Sequence, residues 1–146
     1  MTDNFQRRSR RCPLCHPEAE QVLWRGRCCR IILVDDEDHA GYCRVIWQAH
    51  VKEMTDLAST QRLHLMRVVF AVEHAVRTVM CPDKINLASL GNQVPHLHWH
   101  VVPRYRDDAS FPDSVWSPAH RSGASRRFDT NRFVRQLRRR LSSAKV

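Results

Sequence analysis

The sequence predicts an α+β domain built on an antiparallel sheet, and three observations carry that expectation. Short β-prone runs lie on both sides of one long helical pattern, and one of those runs alternates histidine with apolar residues. The chain has 146 residues, enough for a single domain with one sizeable core.

Residues 1–11 are polar and basic and read as a disordered leader, and Cys12-Pro13-Leu14-Cys15 opens the ordered part. Short strands are expected at Gln21–Trp24 and Cys29–Val34, where β-branched and aromatic residues cluster. The acidic run Asp35-Asp36-Glu37-Asp38 breaks them as a loop, and the β-rich Tyr42–Gln48 follows as another strand. A short helix is expected to begin near Met54–Leu57. From Thr60 to Met80 the period becomes helical, with Leu63, Met66, Val69 or Phe70 and Val76 as the core stripe, and Cys81-Pro82 closes the segment. Lys84–Ser89 and Leu97–Val102 read as a hairpin about a Gly-containing turn at Leu90–Pro95. Beyond Pro103 the chain is proline- and serine-rich through Gly123, an extended surface segment. From Asp129 on, a basic amphipathic helix carries Phe133, Val134, Leu137 and Leu141 on one side. The expected organisation is a leader at 1–11, a domain at 12–105 and a C-terminal extension at 106–146.

The net charge of +9 and pI near 10.0 favour anionic partners. Much of that charge sits in Arg7, Arg8, Arg10 and Arg11 and in the run 126–140, the pattern of solvated ends. No recognition helix or aromatic stacking platform accompanies it, which argues against nucleic acid as the partner. No apolar run approaches membrane-spanning length, and the polar start carries no secretory signal, so a cytoplasmic protein is expected. In that setting the six cysteines read as free thiols or metal ligands rather than disulfides. Cys28, Cys29, Cys43 and Cys81 are expected as small core residues, and His64 and His74 as exposed positions on the long helix.

The chemistry concentrates in Pro95-His96-Leu97-His98-Trp99-His100-Val101-Val102-Pro103. On a strand, alternate residues share a face, so His96, His98 and His100 are expected together, with Leu97, Trp99 and Val101 opposite. Imidazole can move a proton near neutral pH, attack phosphorus or bind a metal. Three imidazoles on one strand face are a poor packing solution and a good chemical one.

The pattern His96-Leu97-His98-Trp99-His100-Val101-Val102 resembles the signature of the histidine-triad (HIT) family, in which histidines alternate with apolar residues. The likeness extends over roughly residues 12–105: Gly41–His50 is similar to the family's earlier strand with its trailing histidine, and Asn86–Gln93 to the strand and turn before the triad. The resemblance implies a HIT-like antiparallel sheet with one long and one short helix. It implies a nucleotide hydrolase or transferase that cleaves a nucleoside monophosphate from a phosphoramidate or dinucleoside polyphosphate through a nucleotidyl-histidine. His98 would be the nucleophile, its Nδ1–H held by the carbonyl of His96. His100 would bind a phosphate or leaving-group oxygen and supply a proton. Asn86 and Gln93 match phosphate-binding positions, and Asp35 or Asp36 would bond the ribose hydroxyls. The family also implies a homodimer, in which the C-terminal tail, here with Trp116, can reach the partner's pocket. No organic cofactor is implied.

Cys12-x-x-Cys15 with His50 and His96 resembles the structural zinc set of some family members, four ligands suited to a tetrahedral ion. A redox dithiol and two ordinary thiols are the rival readings, and no thioredoxin-like βαβ pattern surrounds the pair. The chain departs from the family at Tyr42, where many members carry a fourth histidine, and at Gln93, where many carry serine or threonine. The first departure keeps open a second function: a slow or inactive nucleotide-binding regulatory protein.

Overall fold

The computed structural model describes residues 8–143, so most of the leader expected at 1–11, Arg7 included, lies outside the described residues, as do 144–146. Strands β1 (Gln21–Arg25), β2 (Cys29–Leu33) and β3 (Cys43–Trp47) are followed by a 3-10 turn at Met54–Asp56 and helix α1 (Ser59–Met80). Strands β4 (Lys84–Ala88) and β5 (His98–Arg104) and helix α2 (Thr130–Ser143) complete the chain. The sheet is wholly antiparallel, in the order β1-β2-β3-β5-β4. The expected α+β class and every expected strand are present, and no described helix is long and apolar enough to cross a membrane.

The sheet buries one face under α1. Cys29 and Ile31 of β2, Cys43, Val45 and Trp47 of β3 and Val101 of β5 form one cluster with helix residues Leu65, Val68, Val72 and Val76. Helix α2 adds Phe133, Leu137 and Leu141 to the same cluster, three apolar residues at i, i+4 and i+8 on an otherwise arginine-rich helix. The core stripe of α1 differs from the expected one. Leu65, Val68/Val69, Val72 and Ala75/Val76 face inward, whereas Leu63 and Phe70 are 61% and 53% exposed. Two helical patterns overlap in this apolar sequence, and the sheet selects the one with small and β-branched residues, which lets the helix approach closely. His64 and His74 are half-buried rather than exposed, and Cys81 is exposed rather than core. Cys81 closes α1 in the left-handed conformation (φ 48°, ψ 51°), its N–H bonded to the Arg77 carbonyl, with Pro82 behind it.

The segment after β5 is not merely a surface strand. It has no helix or strand until α2, yet Asp108 and Ser110 are buried. Arg104 at the end of β5 draws the chain in: Nε and Nη2 donate to the two Asp108 oxygens at 2.8 and 3.0 Å, and Nη2 also donates to the Asp113 carbonyl at 2.8 Å. The returning chain covers Gly41 (φ 84°), where a Cβ would stand 3.1 Å from Phe128 and 3.3 Å from Met80. This close approach and positive φ both demand glycine there.

Candidate active site and metal centre

The sheet face away from α1 carries the chemistry. On β5, His98 and His100 project from it, and β3 sets Ile46 opposite His98 and Arg44 opposite His100. Their rings lie edge-to-face, with centroids 4.8 Å apart. The 90–94 loop, Leu14, Arg44 and Trp116 close a cavity of about 380 Å³ around them. Trp116 reaches this cavity within its own chain, its ring centroid 5.0 Å from that of His100.

His98 Nδ1 lies 2.6 Å from the His96 carbonyl oxygen. A carbonyl only accepts, so Nδ1 carries the proton and Nε2 keeps its lone pair. Burial pushes the His98 pKa down, the His96 carbonyl partly opposes this, and the Arg44 charge adds to the lowering. His100 is pushed down to about 3 by burial, then by His98 and Arg44, so its ring is neutral at neutral pH. Its Nδ1 meets the Tyr42 hydroxyl at 2.6 Å. Burial, outweighing the Arg44 charge, raises the Tyr42 pKa, so the phenol stays protonated and donates. Nε2–H of His100 is then a donor on the opposite edge of the ring.

His96 stands just before β5, which begins at His98, and its N–H is bonded to the Val94 carbonyl at 2.8 Å. Its Nε2–H donates to the Trp47 carbonyl at 2.6 Å, which leaves the Nδ1 lone pair turned toward the cysteines. Nδ1 of His96 lies 3.3 Å from Cys12 Sγ, 3.5 Å from Cys15 Sγ and 3.3 Å from His50 Nδ1, and Cys15 Sγ lies 3.4 Å from His50 Nδ1. A tetrahedral ion with the usual zinc–sulfur and zinc–nitrogen lengths separates its ligands by about 3.3–3.8 Å. The four groups therefore have the donor types and spacing to hold one metal ion, and all four ligand atoms fall within 4.8 Å of one another.

The other expected residues divide. Gln93 lines the cavity with Gly91 and Asn92. Asn86 lies on the same sheet face, opposite Val102 on the edge strand, but lines an adjacent cleft across Trp116, its side-chain oxygen held by Arg104 Nη1 at 2.8 Å. Asp35 is exposed and outside the cavity lining, while the Asp36 carboxylate accepts from the His39 N–H at 2.9 Å and lies 3.1 Å from His39 Nδ1. His16 is exposed and apart from the metal-ligating cluster. Sequence reasoning missed Arg44 and the Tyr42–His100 contact. Both were accessible from alternation, since Tyr42, Arg44 and Ile46 share a face once β3 is paired with β5.

Comparison with known proteins bears on this arrangement. The profile of the HIT domain matches residues 18–107. A histidine triad protein from Bradyrhizobium japonicum superposes with a TM-score of 0.66 at 25% identity, over 82% of this chain and 90% of that one. A histidine triad protein from Sinorhizobium meliloti gives 0.67 at 23% identity, over 84% and 90%. The bis(5'-nucleosyl)-tetraphosphatase (asymmetrical) of Schizosaccharomyces pombe is 27% identical over 106 residues, 69% of this chain and 58% of that protein. The AP-4-A phosphorylase of Mycobacterium tuberculosis is 28% identical over 105 residues, 68% of this chain and 54% of that protein. The chain thus matches little more than half the length of these two relatives.

Proposed function

Because this chain belongs to the HIT-domain family, we propose that it is a nucleotide hydrolase or transferase working through a nucleotidyl-histidine on His98. The observation that carries this reading is the 2.6 Å contact between His98 Nδ1 and the His96 carbonyl, which leaves Nε2 as a free nucleophile in the cavity. The names of the tetraphosphatase and the phosphorylase point to the same chemistry.

In the first step, His98 Nε2 attacks the α-phosphorus, a P–N bond forms, and the bond to the leaving group breaks. Nε2–H of His100 bonds a phosphate or leaving-group oxygen and can pass its proton to that oxygen as the Tyr42 phenol protonates Nδ1. Water then attacks the phosphorus and gives its proton to His100 Nε2 as Nδ1 returns one to the Tyr42 oxygen; the P–N bond breaks with its electron pair going back to His98 Nε2, and a nucleoside monophosphate leaves. Gln93 and the N–H groups of the 91–93 turn donate to the phosphate. Asn86, across Trp116, bonds the more distant part of the substrate, and Asp35 remains a ribose ligand only if the 35–38 loop turns toward the cavity.

Cys12, Cys15, His50 and His96 would hold a structural zinc ion, which supplies a cross-link tying the N-terminal segment to the end of β3 and to the triad turn. A homodimer is supported by the exposed Leu63 and Phe70 on α1 and by the open edge of β4.

Turnover of a panel of nucleoside phosphoramidates and dinucleoside polyphosphates, beside His98→Ala, tests the proposal. Wild-type turnover that His98→Ala abolishes supports it, and undiminished turnover in the variant refutes it. The buried, neutral His100 favours one second reading, a slow nucleotide-binding regulator. Tight binding of nucleotides without product would decide for that.

A further inference from the structure

We propose that Arg44 binds the phosphate chain of the leaving group and that Arg10 and Arg11 continue this cationic track. The preferred substrates are then nucleoside polyphosphates with an anionic leaving group, rather than phosphoramidates that release a neutral amine. The proposal rests on the nucleotidyl-transfer reading of the same cavity.

Arg44 sits in the middle of β3, directly opposite His100. Its guanidinium carbon lies 5.8 Å from the centroid of the Tyr42 ring, beside the triad. The two buried strand arginines are fully engaged, whereas Arg44 is half-buried. Arg30 is held by both Glu20 oxygens and the Leu14 carbonyl, and Arg104 by Asp108, Asn86 and Asp113. Arg44 differs: its Nε is buried with no hydrogen-bond partner, and among the described residues no carboxylate lies within ion-pair distance of it. A buried, unpaired guanidinium donor is costly and uncommon unless a ligand supplies the acceptor. Among the described residues lining the histidine cavity, Arg44 is the only arginine, lysine, aspartate or glutamate.

Arg44 also lines a second groove, of about 690 Å³, that runs past Leu14 to Arg10 and Arg11. The two acids there are Glu20, already bound by Arg30, and the exposed Glu18. A chain of phosphates leaving the α-phosphorus at His98 thus has a path along three arginines. Guanidinium is the side chain best matched to bind phosphate oxygens in pairs. A neutral amine gains nothing from that path.

The test compares wild type, Arg44→Gln, Arg44→Lys and the exposed double change Arg10→Ala/Arg11→Ala. It reads kcat/KM on a dinucleoside tetraphosphate and on a nucleoside phosphoramidate, and Kd for inorganic tripolyphosphate by calorimetry. Losing a charge-assisted hydrogen bond lowers kcat/KM by about 10- to 100-fold. That loss is expected for Arg44→Gln on the tetraphosphate, with under about threefold on the phosphoramidate and partial rescue by Arg44→Lys. The double variant is expected to weaken tripolyphosphate binding several-fold, and it serves as the test should Arg44→Gln fail to fold. Equal losses on both substrates would place Arg44 on the transferred phosphate and overturn the proposal. So would tripolyphosphate binding indifferent to all three arginines. A wild type that turns over neither substrate, yet binds tripolyphosphate through Arg44, would refute the enzymatic reading while upholding the track.

Discussion

The Tyr42 hydroxyl lies 2.6 Å from Nδ1 of His100, with both residues buried. Tyr42 stands where the sequence resemblance leads one to expect a fourth histidine. It gives His100 a proton donor on one ring nitrogen and so fixes its tautomer. A phenol kept protonated by burial suits that role better than a second titrating imidazole.

Tyr42→Phe is therefore expected to lower kcat by about 10-fold or more while changing KM much less, since the phenol positions His100 and does not touch substrate. Loss of the partner also leaves Nδ1 buried and unpaired, at a cost of about 1–3 kcal/mol in stability. Steady-state kinetics and chemical denaturation check both effects. An unchanged kcat would show that the contact is structural only.

The Cys12, Cys15, His50 and His96 cluster is expected to bring one zinc ion per chain into the purified protein, measured by elemental analysis. Cys12→Ser/Cys15→Ser should abolish the metal and lower Tm by about 10 °C or more, because a structural site contributes several kcal/mol to folding. Wild-type protein that is stable and zinc-free after metal-replete expression would contradict this.

Asp108 makes stability depend on acid. Burial alone would raise its pKa, but the Arg104 hydrogen bonds, the Tyr105 and Phe111 N–H donors and the Arg104 charge hold it well below the usual carboxylate range. A carboxyl depressed in the folded state contributes stability that is full above the unfolded pKa of about 4. That contribution is lost as pH falls from there through the folded value. Asp108→Asn leaves the Arg104 charge buried and is expected to cost about 3–5 kcal/mol near neutral pH. Its deficit relative to wild type should shrink below about pH 4, as urea denaturation across pH would show.

Cys81→Gly is expected to stabilise by about 0.5–1 kcal/mol, since the residue is exposed at φ 48°, where a Cβ is penalised. A lower Tm in the variant would show that the cysteine side chain contributes at this helix end.

Much of the fold was legible because its signals are local. The β-rich composition of 43–47 and the alternation in 98–102 marked strands, and Cys81-Pro82 marked the end of α1. Two features required tertiary information. The inward stripe of α1 could not be chosen from two overlapping apolar patterns, and the sheet decided against Leu63 and Phe70. The 106–113 chain looked like surface because Arg104 and Asp108 are individually polar; only their pairing buries them. At the site, residue types carried far. The Cys-x-x-Cys with His50 and His96 met as a cluster, and His98 found the His96 carbonyl. Arg44 was overlooked because its meaning comes from the register with β5.

The central claim is the nucleophilic role of His98, and the most direct measurement is tandem mass spectrometry of enzyme quenched during turnover without acid. The expected result is a nucleoside monophosphate group on the peptide spanning the triad, located on His98 and absent from His98→Ala. Turnover with no adduct at any quench time, accompanied by inversion at a chiral phosphorus, would mean that water attacks directly, and the covalent mechanism would be wrong.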